Sequence, residues 1–371
     1  MTKKIFIIAG EPSGDVLGSG IIKEMPNVEF VGIGGKEMEE AGLKSLFDIK
    51  KISVMGIFEV LPRIFKILGL IKKTVKEIKK QNPDLILTID SPSFCFRVIK
   101  FFKNNKNIKK VHLIAPSVWA WKEKRAKKIS KLYDLLLCIL PFEPPLFEKY
   151  GLKSKFIGHP IFDGVETTDL KLCAINQTIV LTPGSRDGEV KKIFPIMMKT
   201  INILKNEYGY ELNVYVFATY KTLNLVEYMV LDEDFYCNIV VDKEEKNKIM
   251  DKANFAIAKS GTNAFEFNIY SIPLVIVYTM NYLTNKLGKL LIKVKFANIV
   301  NIMANAEIIP EFIGDNAKPY LIAAKTDVLL RSNILLSKQV EETKNIIKDL
   351  GYLSGHSSAK KCAKEIKKLL I

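Results

Sequence analysis

Histidine, tryptophan and paired cysteines are scarce in this chain of 371 residues. It contains 3 His, 2 Trp and 5 Cys, and no two cysteines form a C-x-x-C motif. The histidines lie far apart, so the ligand clusters of a structural zinc site are missing from the sequence. An odd number of scattered cysteines favours reduced thiols, as in a cytosolic protein. We therefore expect neither a metal site nor a disulfide framework.

Long apolar runs and acidic residues are also in short supply. No run approaches the ~18–20 apolar residues that a membrane-spanning helix requires, so we expect any membrane contact to be peripheral. The 56 Lys and Arg outnumber the 40 Asp and Glu, for a formal net charge of +16. Such a charge favours an anionic partner: nucleic acid, an acidic membrane surface or a phosphorylated substrate. A lysine-rich composition that serves solubility explains the charge equally well.

Apolar strands alternate with helical segments along the whole chain. Continuous apolar runs such as Ile5–Ala9 are typical of central strands in a parallel sheet, and this run predicts a first strand rather than a signal peptide. About six strands precede residue 160, which predicts one doubly wound domain there. We predict an N-terminal domain over residues 1–165 and a C-terminal domain over residues 166–354. The final helix, about 355–371, is expected to pack on the N-terminal domain or on a partner subunit.

Two strand ends in the C-terminal half suit a nucleoside diphosphate. Each is followed by a turn and a helix, where unpaired N–H groups and the helix dipole favour a phosphate. Arg186 can donate a forked pair of hydrogen bonds to a pyrophosphate, and Glu266 is placed to accept hydrogen bonds from a ribose. An ordinary capped turn explains either motif taken alone. Asn298 and Asn301 are three residues apart and could reach one ligand together. The residues of the two turns are Gly184, Ser185, Arg186, Ser260, Gly261 and Thr262.

Two strand ends in the N-terminal half carry acidic residues. The first strand ends in GEPSGD (Gly10–Asp15), where Glu11 repels a phosphate and favours a hydroxyl-bearing ligand such as a sugar. Asp90 ends another buried strand, at the sheet edge where α/β enzymes place their chemistry. It can act as a general base or cap the next helix, and its position supports both equally. His159, near the predicted domain hinge, is more often structural than catalytic in such a position.

A helix predicted over residues 63–80 combines an apolar stripe with seven basic residues. Phe65 and Leu70 lie off the stripe and would face solvent or lipid. An anionic lipid surface would suit this face, although a solvated basic face on a sheet-covering helix is the commoner explanation. The two tryptophans, beside basic residues, could stack on bases or lie at a bilayer interface. The stripe consists of Ile64, Ile67, Leu68, Ile71, Val75 and Ile78.

Together these motifs resemble the lipid-A-disaccharide synthase family, inverting glycosyltransferases of Gram-negative bacteria. The resemblance covers nearly the full length, and no single motif is specific by itself. One departure is that Pro310-Glu311 is followed by Phe312-Ile313-Gly314, where the family usually has Leu-Leu-Gln. The motifs are AGEPSGD (9–15), VMGIFEVL (54–61), Asp90, PSVWAWKEKR (116–125), LPFE (140–143), FIGHP (156–160), PGSR (183–186), SGT (260–262) with Glu266, and the Asn298 and Asn301 pair.

The resemblance implies the GT-B architecture: an α/β protein with two Rossmann-like, doubly wound parallel-sheet domains facing a cleft that holds the active site. It implies transfer from UDP-2,3-diacylglucosamine to 2,3-diacylglucosamine 1-phosphate, giving a β-1,6-linked disaccharide 1-phosphate and UDP. No metal or other cofactor is implied. Both substrates carry acyl chains, so the resemblance implies a cytoplasmic protein bound peripherally to the anionic inner membrane. Nucleic acid is not an implied partner, and a homodimer is left open.

The resemblance also suggests a role for each candidate residue. Asp90 would deprotonate the acceptor 6-hydroxyl, with Glu11 and His159 as alternatives for that role. The UDP-sugar donor would contact Gly184, Ser185, Arg186, Ser260, Gly261, Thr262, Glu266 and Asn301. The acceptor would contact Glu11, Ser13, Gly14 and Asp15.

Two other functions compete with this interpretation. A soluble UDP-sugar enzyme of the same fold, such as a UDP-N-acetylglucosamine 2-epimerase, would have no use for the apolar and basic surfaces at Phe65–Leu70 and Leu283–Lys295. An RNA-binding protein would use the charge of +16, but the sequence contains no recognisable RNA-binding module.

Overall fold

The computed structural model describes residues 2–52, 64–119, 124–165, 176–231, 235–261, 263–279, 295–353, 355 and 357–370. The chain divides into two compact units: Met1–Gly164 with Leu350–Ile371 is unit 1, and Val165–Asp349 is unit 2. Each unit contains a six-stranded sheet. Every strand pair in both sheets is parallel. The predicted α/β fold with two Rossmann-like, parallel-sheet domains is therefore confirmed.

Unit 1 has the strand order β2-β1-β3-β4-β5-β6. Its strands are β1 (Lys3–Ala9), β2 (Val28–Ile33), β3 (Leu85–Ile89), β4 (Lys109–Leu113), β5 (Leu135–Cys138) and β6 (Ser154–Phe156). The helices between them are α1 (Pro12–Lys23), α2 (Lys36–Glu40), α3 (Ile64–Gln81), α4 (Pro92–Ile99), α5 (Lys124–Ile129) and α6 (Pro144–Glu148).

Unit 2 has the strand order β12-β11-β10-β7-β8-β9. Its strands are β7 (Asn176–Thr182), β8 (Glu211–Phe217), β9 (Cys237–Val240), β10 (Phe255–Lys259), β11 (Leu274–Tyr278) and β12 (Glu311–Ile313). Its helices are α7 (Asp187–Asn206), α8 (Leu223–Val230), α9 (Lys243–Met250), α10 (Asn263–Ile269), α11 (Ile299–Ala304), α12 (Pro319–Leu330) and α13 (Asn333–Lys348).

The sheet of unit 1 is covered on both faces, as its continuous apolar strands predict. Side chains alternate between the faces of a strand. Phe6 and Ile8 of β1 accordingly belong to the core cluster that includes the apolar side of α3. Ile5 and Ile7 belong to the cluster that includes the apolar side of α1. Neither face of this strand is left for solvent, which is why β1 lacks polar residues at alternate positions.

Helix α3 packs on the sheet with a face slightly rotated from the predicted one. Ile67 and Ile71 are buried and Phe65 is 85% exposed, as predicted. Leu68, predicted to be buried, is 43% exposed, whereas Leu70, predicted to face solvent or lipid, packs partly against the core. The rotation brings Thr74 into the interface, where its hydroxyl donates to the Leu70 carbonyl at 2.8 Å. A threonine that satisfies its own hydroxyl in this way fits an apolar contact surface.

The last helix, α14 (Ser358–Leu370), packs on α1 in unit 1. A Cβ atom on Gly20 would lie 2.9 Å from the Cβ of Ala359, so the small residue at that point lets the two helices approach closely. The Asp163 carboxylate accepts hydrogen bonds from the Ser358 backbone N–H at 2.8 Å and hydroxyl at 2.9 Å. Asp163 thus fixes the start of α14 within unit 1.

Candidate functional site

The strand order of unit 1 reverses between β1 and β3, a position where open α/β sheets bind ligands. The loop after β1 begins at Gly10, and β3 is followed by Asp90 and Ser91. The two loops are in direct contact, because a Cβ atom on Gly10 would lie 2.0 Å from the Ser91 Oγ. A larger residue in place of Gly10 would therefore force the two loops apart.

Asp90 is half-buried at this point and sits on a sharply turned backbone. Its φ is 52° and that of Ser91 is 44°, and each non-glycine residue in this left-handed region costs about 1–3 kcal/mol. Ser91, not Asp90, is the N-cap residue of α4, so the capping alternative for Asp90 is wrong. Burial raises the pKa of Asp90, and a hydrogen bond from the Ser91 backbone lowers it in part. A carboxylate of raised pKa is a better proton acceptor.

The loop after β1 contributes fewer ligand-facing groups than its sequence predicts. Glu11 is half-buried and Ser13 is exposed, whereas Gly14 and Asp15 are buried. Both carboxylate oxygens of Asp15 accept hydrogen bonds from backbone N–H groups at the start of α2, so the predicted acceptor contact for Asp15 is corrected. Gly14 packs against β3, since a Cβ atom there would lie 3.2 Å from Ile89 Cγ2. The donors to Asp15 are Gly35 at 2.7 Å, Glu37 at 3.0 Å and Met38 at 3.2 Å.

A buried carboxyl group joins the loops after β4 and β5. The Trp119 indole N–H donates to Glu143 Oε1 at 3.3 Å, and the Leu140 N–H donates to Glu143 Oε2 at 3.1 Å. The Trp119 ring also meets Phe142 edge-on, with ring centroids 5.5 Å apart. Glu143 is only 2% exposed. Burial raises its pKa to about 8, although these hydrogen bonds lower it in part.

The raised pKa of Glu143 predicts a pH-dependent stability. Between its ordinary pKa of 4.5 and about 8, the folded protein keeps a proton that the unfolded chain releases. The contribution of Glu143 to the free energy of unfolding therefore falls as pH rises through this window, by up to about 1.4 kcal/mol per pH unit, and is constant above it. Glu143→Gln removes the titration. Urea unfolding from pH 5 to 9 measures the free energy of unfolding of both proteins. The value for wild type minus that for the variant should fall up to about pH 8. A difference that does not change with pH would contradict the raised pKa of Glu143.

His159, the other alternative for the base, has a structural position. It is 7% exposed, and its Nδ1 accepts a hydrogen bond from the Ile161 N–H at 3.3 Å. Burial lowers its pKa to about 4, so the ring is neutral near pH 7. The ring also meets Phe162 edge-on, with centroids 5.8 Å apart. These contacts favour a role in shaping the turn after β6.

Unit 2 has a reversal of strand order between β7 and β10. The two loops predicted to suit a diphosphate follow these neighbouring strands, so both lie at the same sheet edge. Gly184 has a φ of 122°, and a Cβ atom there would lie 2.7 Å from Glu189 Oε2. The positive φ favours glycine at this position, and a side chain there would displace the Glu189 carboxylate. Gly261 is exposed, and among the described residues a Cβ atom on it would meet only the Lys259 Nζ, at 3.9 Å.

A charged cluster that the sequence motifs do not predict lies between these loops. Glu189 Oε1 is 3.0 Å from Arg186 Nη1 and 3.2 Å from Lys259 Nζ. Only the spacing of Arg186 and Glu189, three residues apart at the start of a helix, indicates part of the cluster in the sequence. Lys259 joins it because β10 pairs with β7. The Lys259 ammonium also lies 5.8 Å from the centre of the Tyr278 ring.

Asn301 is a structural residue rather than a ligand contact, which corrects the prediction for it. It is fully buried, and its amide oxygen accepts hydrogen bonds from the Ile308 and Ile309 N–H groups, both at 2.9 Å. Its amide nitrogen donates to the Ile309 carbonyl at 2.7 Å and to Glu311 Oε1 at 2.8 Å. Asn298 is 3% exposed and caps α11 through the Val300 N–H. The pair therefore does not reach one ligand together.

Glu311 and Ser260 hold the segment before α11 in place. The Glu311 carboxylate accepts hydrogen bonds from the Ala297 N–H at 2.7 Å and the Asn298 N–H at 2.8 Å. The Ser260 hydroxyl donates to the Ala297 carbonyl at 3.2 Å. Burial raises the pKa of Glu311, which these hydrogen bonds and the one from Asn301 lower in part. The hydroxyl of Ser260 is therefore engaged with the protein rather than reserved for a phosphate.

Glu266 lies in the first turn of α10 and remains accessible to solvent. Partial burial of its carboxyl group raises its pKa, while the charges of Lys246 and Lys243 lower it. Lys246 is itself anchored at the end of β8, where its Nζ donates to the Ala218 carbonyl at 2.6 Å. Glu266 is thus an accessible hydrogen-bond acceptor at the same sheet edge as the two loops.

Several predicted features lie outside the described residues: VMGIFEVL (54–61), Trp121, Thr262 and the apolar, basic segment 283–294. Within the described ranges, no group of three or more His, Cys, Asp or Glu side chains is placed to hold a metal ion, and no helix is long and apolar enough to cross a membrane.

Comparison with known sequences decides the family. The model of the family described as "Lipid-A-disaccharide synthetase" matches residues 5–366. The chain belongs to this family. The lipid-A-disaccharide synthase of Rickettsia prowazekii (strain Madrid E) is 39% identical over 377 residues, which cover 98% of this chain and 99% of the relative. That of Rickettsia akari (strain Hartford) is 39% identical over 376 residues, covering 98% and 95%.

Membership of the lipid-A-disaccharide synthetase family confirms the predicted enzyme class, a glycosyltransferase. Solved structures support the fold. The Staphylococcus aureus MnaA–UDP co-structure has a TM-score of 0.67 at 14% identity and covers 100% of this chain and 97% of its own. Acinetobacter baumannii MurG has a TM-score of 0.60 at 14% identity and covers 99% of both chains. Likeness to solved structures at such identity shows the architecture alone. The family match favours neither the epimerase nor the RNA-binding alternative.

Proposed function

We propose that the protein joins two acylated glucosamines. It transfers 2,3-diacylglucosamine from UDP to 2,3-diacylglucosamine 1-phosphate, giving the β-1,6-linked disaccharide 1-phosphate and UDP. The family match over residues 5–366 carries this proposal. The geometry supports it, because a half-buried carboxylate and a cationic loop each lie at a switch point of a parallel sheet.

Asp90 is the proposed general base. The acceptor O6 attacks the anomeric carbon of the donor from the face opposite UDP, and the bond from that carbon to the phosphate oxygen breaks. UDP leaves with the bonding electron pair, and the Asp90 carboxylate takes the proton from O6. Attack from the opposite face inverts the anomeric configuration. Burial raises the pKa of Asp90, which suits proton abstraction from a weakly acidic hydroxyl.

Arg186 is the proposed cation for the departing UDP. Negative charge grows on the diphosphate as the bond breaks, and a fixed guanidinium stabilises it without a metal ion. Gly184 and Gly261 allow the diphosphate to approach the backbone, and Ser185 offers a hydroxyl beside it. Glu266 accepts hydrogen bonds from the ribose hydroxyls. On the acceptor side, Glu11 and Ser13 contact the sugar.

A peripheral contact with an anionic membrane is part of the proposal, because both substrates carry acyl chains. On α3, Phe65 is 85% and Leu68 is 43% exposed. Exposed lysines flank them at positions 66, 72 and 73. An exposed apolar edge beside cationic side chains suits a surface of anionic lipid headgroups. The proposed setting is the cytoplasmic face of the inner membrane.

Calorimetric titration with UDP, with and without EDTA, tests the donor site. We expect a dissociation constant of roughly micromolar order that EDTA does not change. Arg186→Ala should weaken UDP binding about 10- to 100-fold, because it removes charged hydrogen bonds to phosphate. Arg331→Ala is the matched control, since it removes the same charge from the C-cap of α12. Wild-type protein that does not bind UDP would refute the donor, and unchanged affinity in Arg186→Ala would remove Arg186 from the site.

A further inference from the structure

Two cationic side chains converge on one carboxylate oxygen at the switch point of unit 2. Arg186 Nη1 and Lys259 Nζ lie 3.0 and 3.2 Å from Glu189 Oε1. The Lys259 and Glu189 side chains are each 18% exposed, whereas that of Arg186 is 47% exposed. Charges that are partly buried are screened less by salt than charges on the open surface. The arrangement therefore concentrates positive charge at this sheet edge.

The Glu189 carboxylate is held firmly between its partners. Its Oε2 is buried and has no hydrogen-bond partner within the described residues. The same atom lies against Gly184, where a Cβ atom would stand only 2.7 Å away. A carboxylate confined in this way fixes the direction of both cations that bind its other oxygen.

Lys259 can bind an anion in addition to Glu189. In the described part of the chain, Glu189 is the carboxylate that Lys259 contacts. The ammonium of Lys259 has three N–H donors, of which Glu189 uses one. The Tyr278 ring, 5.8 Å away, restricts where the ammonium can move.

We propose that Lys259 is a second cation for the diphosphate of the nucleotide donor, and that Glu189 is a positioning residue that holds Lys259 and Arg186 side by side. This inference rests on the proposed function, which supplies the diphosphate. A diphosphate at this sheet edge would accept hydrogen bonds from the remaining N–H groups of Lys259 as negative charge grows on UDP.

Binding of uridine, UMP and UDP to Lys259→Met tests the role of Lys259. We expect the affinity for UDP to fall about 10- to 100-fold, that for UMP to fall less, and that for uridine to stay unchanged, because only the phosphates meet the cation. Lys252→Met, an exposed lysine after α9, is the control for net charge. An equal loss for all three ligands, or no loss for UDP, would overturn the inference. Failure of the wild type to bind UDP would instead refute the proposed function.

Glu189→Gln tests the positioning role. The variant keeps the side-chain shape but removes the negative charge that holds the two cations together. We expect kcat to fall by at least about 10-fold, because the two cations are no longer oriented toward the negative charge that develops on UDP. Affinity for UDP should not fall, since the site gains net positive charge. A purely structural residue would lower the melting temperature and UDP affinity together, and that result, or an unchanged kcat, would overturn the positioning role.

Discussion

Asp90→Asn is expected to lower turnover by about 10²- to 10⁴-fold while UDP affinity stays within about twofold. The substitution keeps the shape of the side chain and its acceptor oxygen but removes its ability to take a proton. Single-turnover assays measure the turnover, and calorimetry with UDP measures the affinity. Because burial raises the pKa of Asp90, the acidic limb of the wild-type pH–rate profile should lie above the range of an ordinary aspartate.

The same strand provides a matched control. Asp84 precedes β3 and accepts a hydrogen bond from the Lys4 N–H at 2.8 Å, at the opposite end of the strand from Asp90. Asp84→Asn makes the same chemical change there, and we expect its turnover to stay near that of the wild type. If Asp90→Asn retains turnover within a few-fold of wild type, Asp90 only shapes the backbone and Glu11 becomes the next candidate for the base.

Asn301→Ala is expected to destabilise unit 2 by about 3 kcal/mol or more. The substitution deletes four hydrogen bonds and removes the Asn301 partners of the buried Ile309 N–H and carbonyl groups, each at a cost of about 1–3 kcal/mol. Urea unfolding followed by circular dichroism measures the loss. Asn247→Ala, on an exposed position of α9, is the control and should change stability by less than about 0.5 kcal/mol.

The same variant separates the structural role of Asn301 from the ligand contact that its sequence suggests. If Asn301 has only a structural role, Asn301→Ala is less stable than the wild type, but the folded variant binds UDP with wild-type affinity. A variant with wild-type stability and weakened UDP binding would contradict the buried hydrogen-bond network.

The sequence predicts the fold well because the strands are continuous apolar runs. Ile5–Ala9 could only belong to a sheet covered on both faces. The position of Asp90 and Arg186 at strand ends also follows from sequence, since the carboxyl ends of parallel strands lie at one sheet edge. Lys259 and Glu189 could not be paired in advance, because they are 70 positions apart in the sequence and meet only through the pairing of β10 with β7.

The polar residues that were misassigned share one physical cause. Asp15 and Asn301 stand in motifs that look ligand-facing, but both satisfy backbone groups that the tertiary fold leaves unpaired. The N–H groups at the start of α2 find their acceptor 20 or more residues earlier in the chain. Spacing along the sequence does not show which backbone groups lack partners. It therefore cannot distinguish a polar side chain that is buried and structural from one that binds a ligand.

The most direct test of the proposed reaction is product analysis with both lipid substrates. Purified protein is incubated with UDP-2,3-diacylglucosamine and 2,3-diacylglucosamine 1-phosphate in mixed micelles, and the products are followed by mass spectrometry and NMR. We predict equal amounts of UDP and a β-1,6-linked disaccharide 1-phosphate, formed about 10²- to 10⁴-fold more slowly by Asp90→Asn. Absence of the disaccharide, together with 2-epimerisation of UDP-N-acetylglucosamine by the same protein, would contradict the proposal and favour the epimerase alternative.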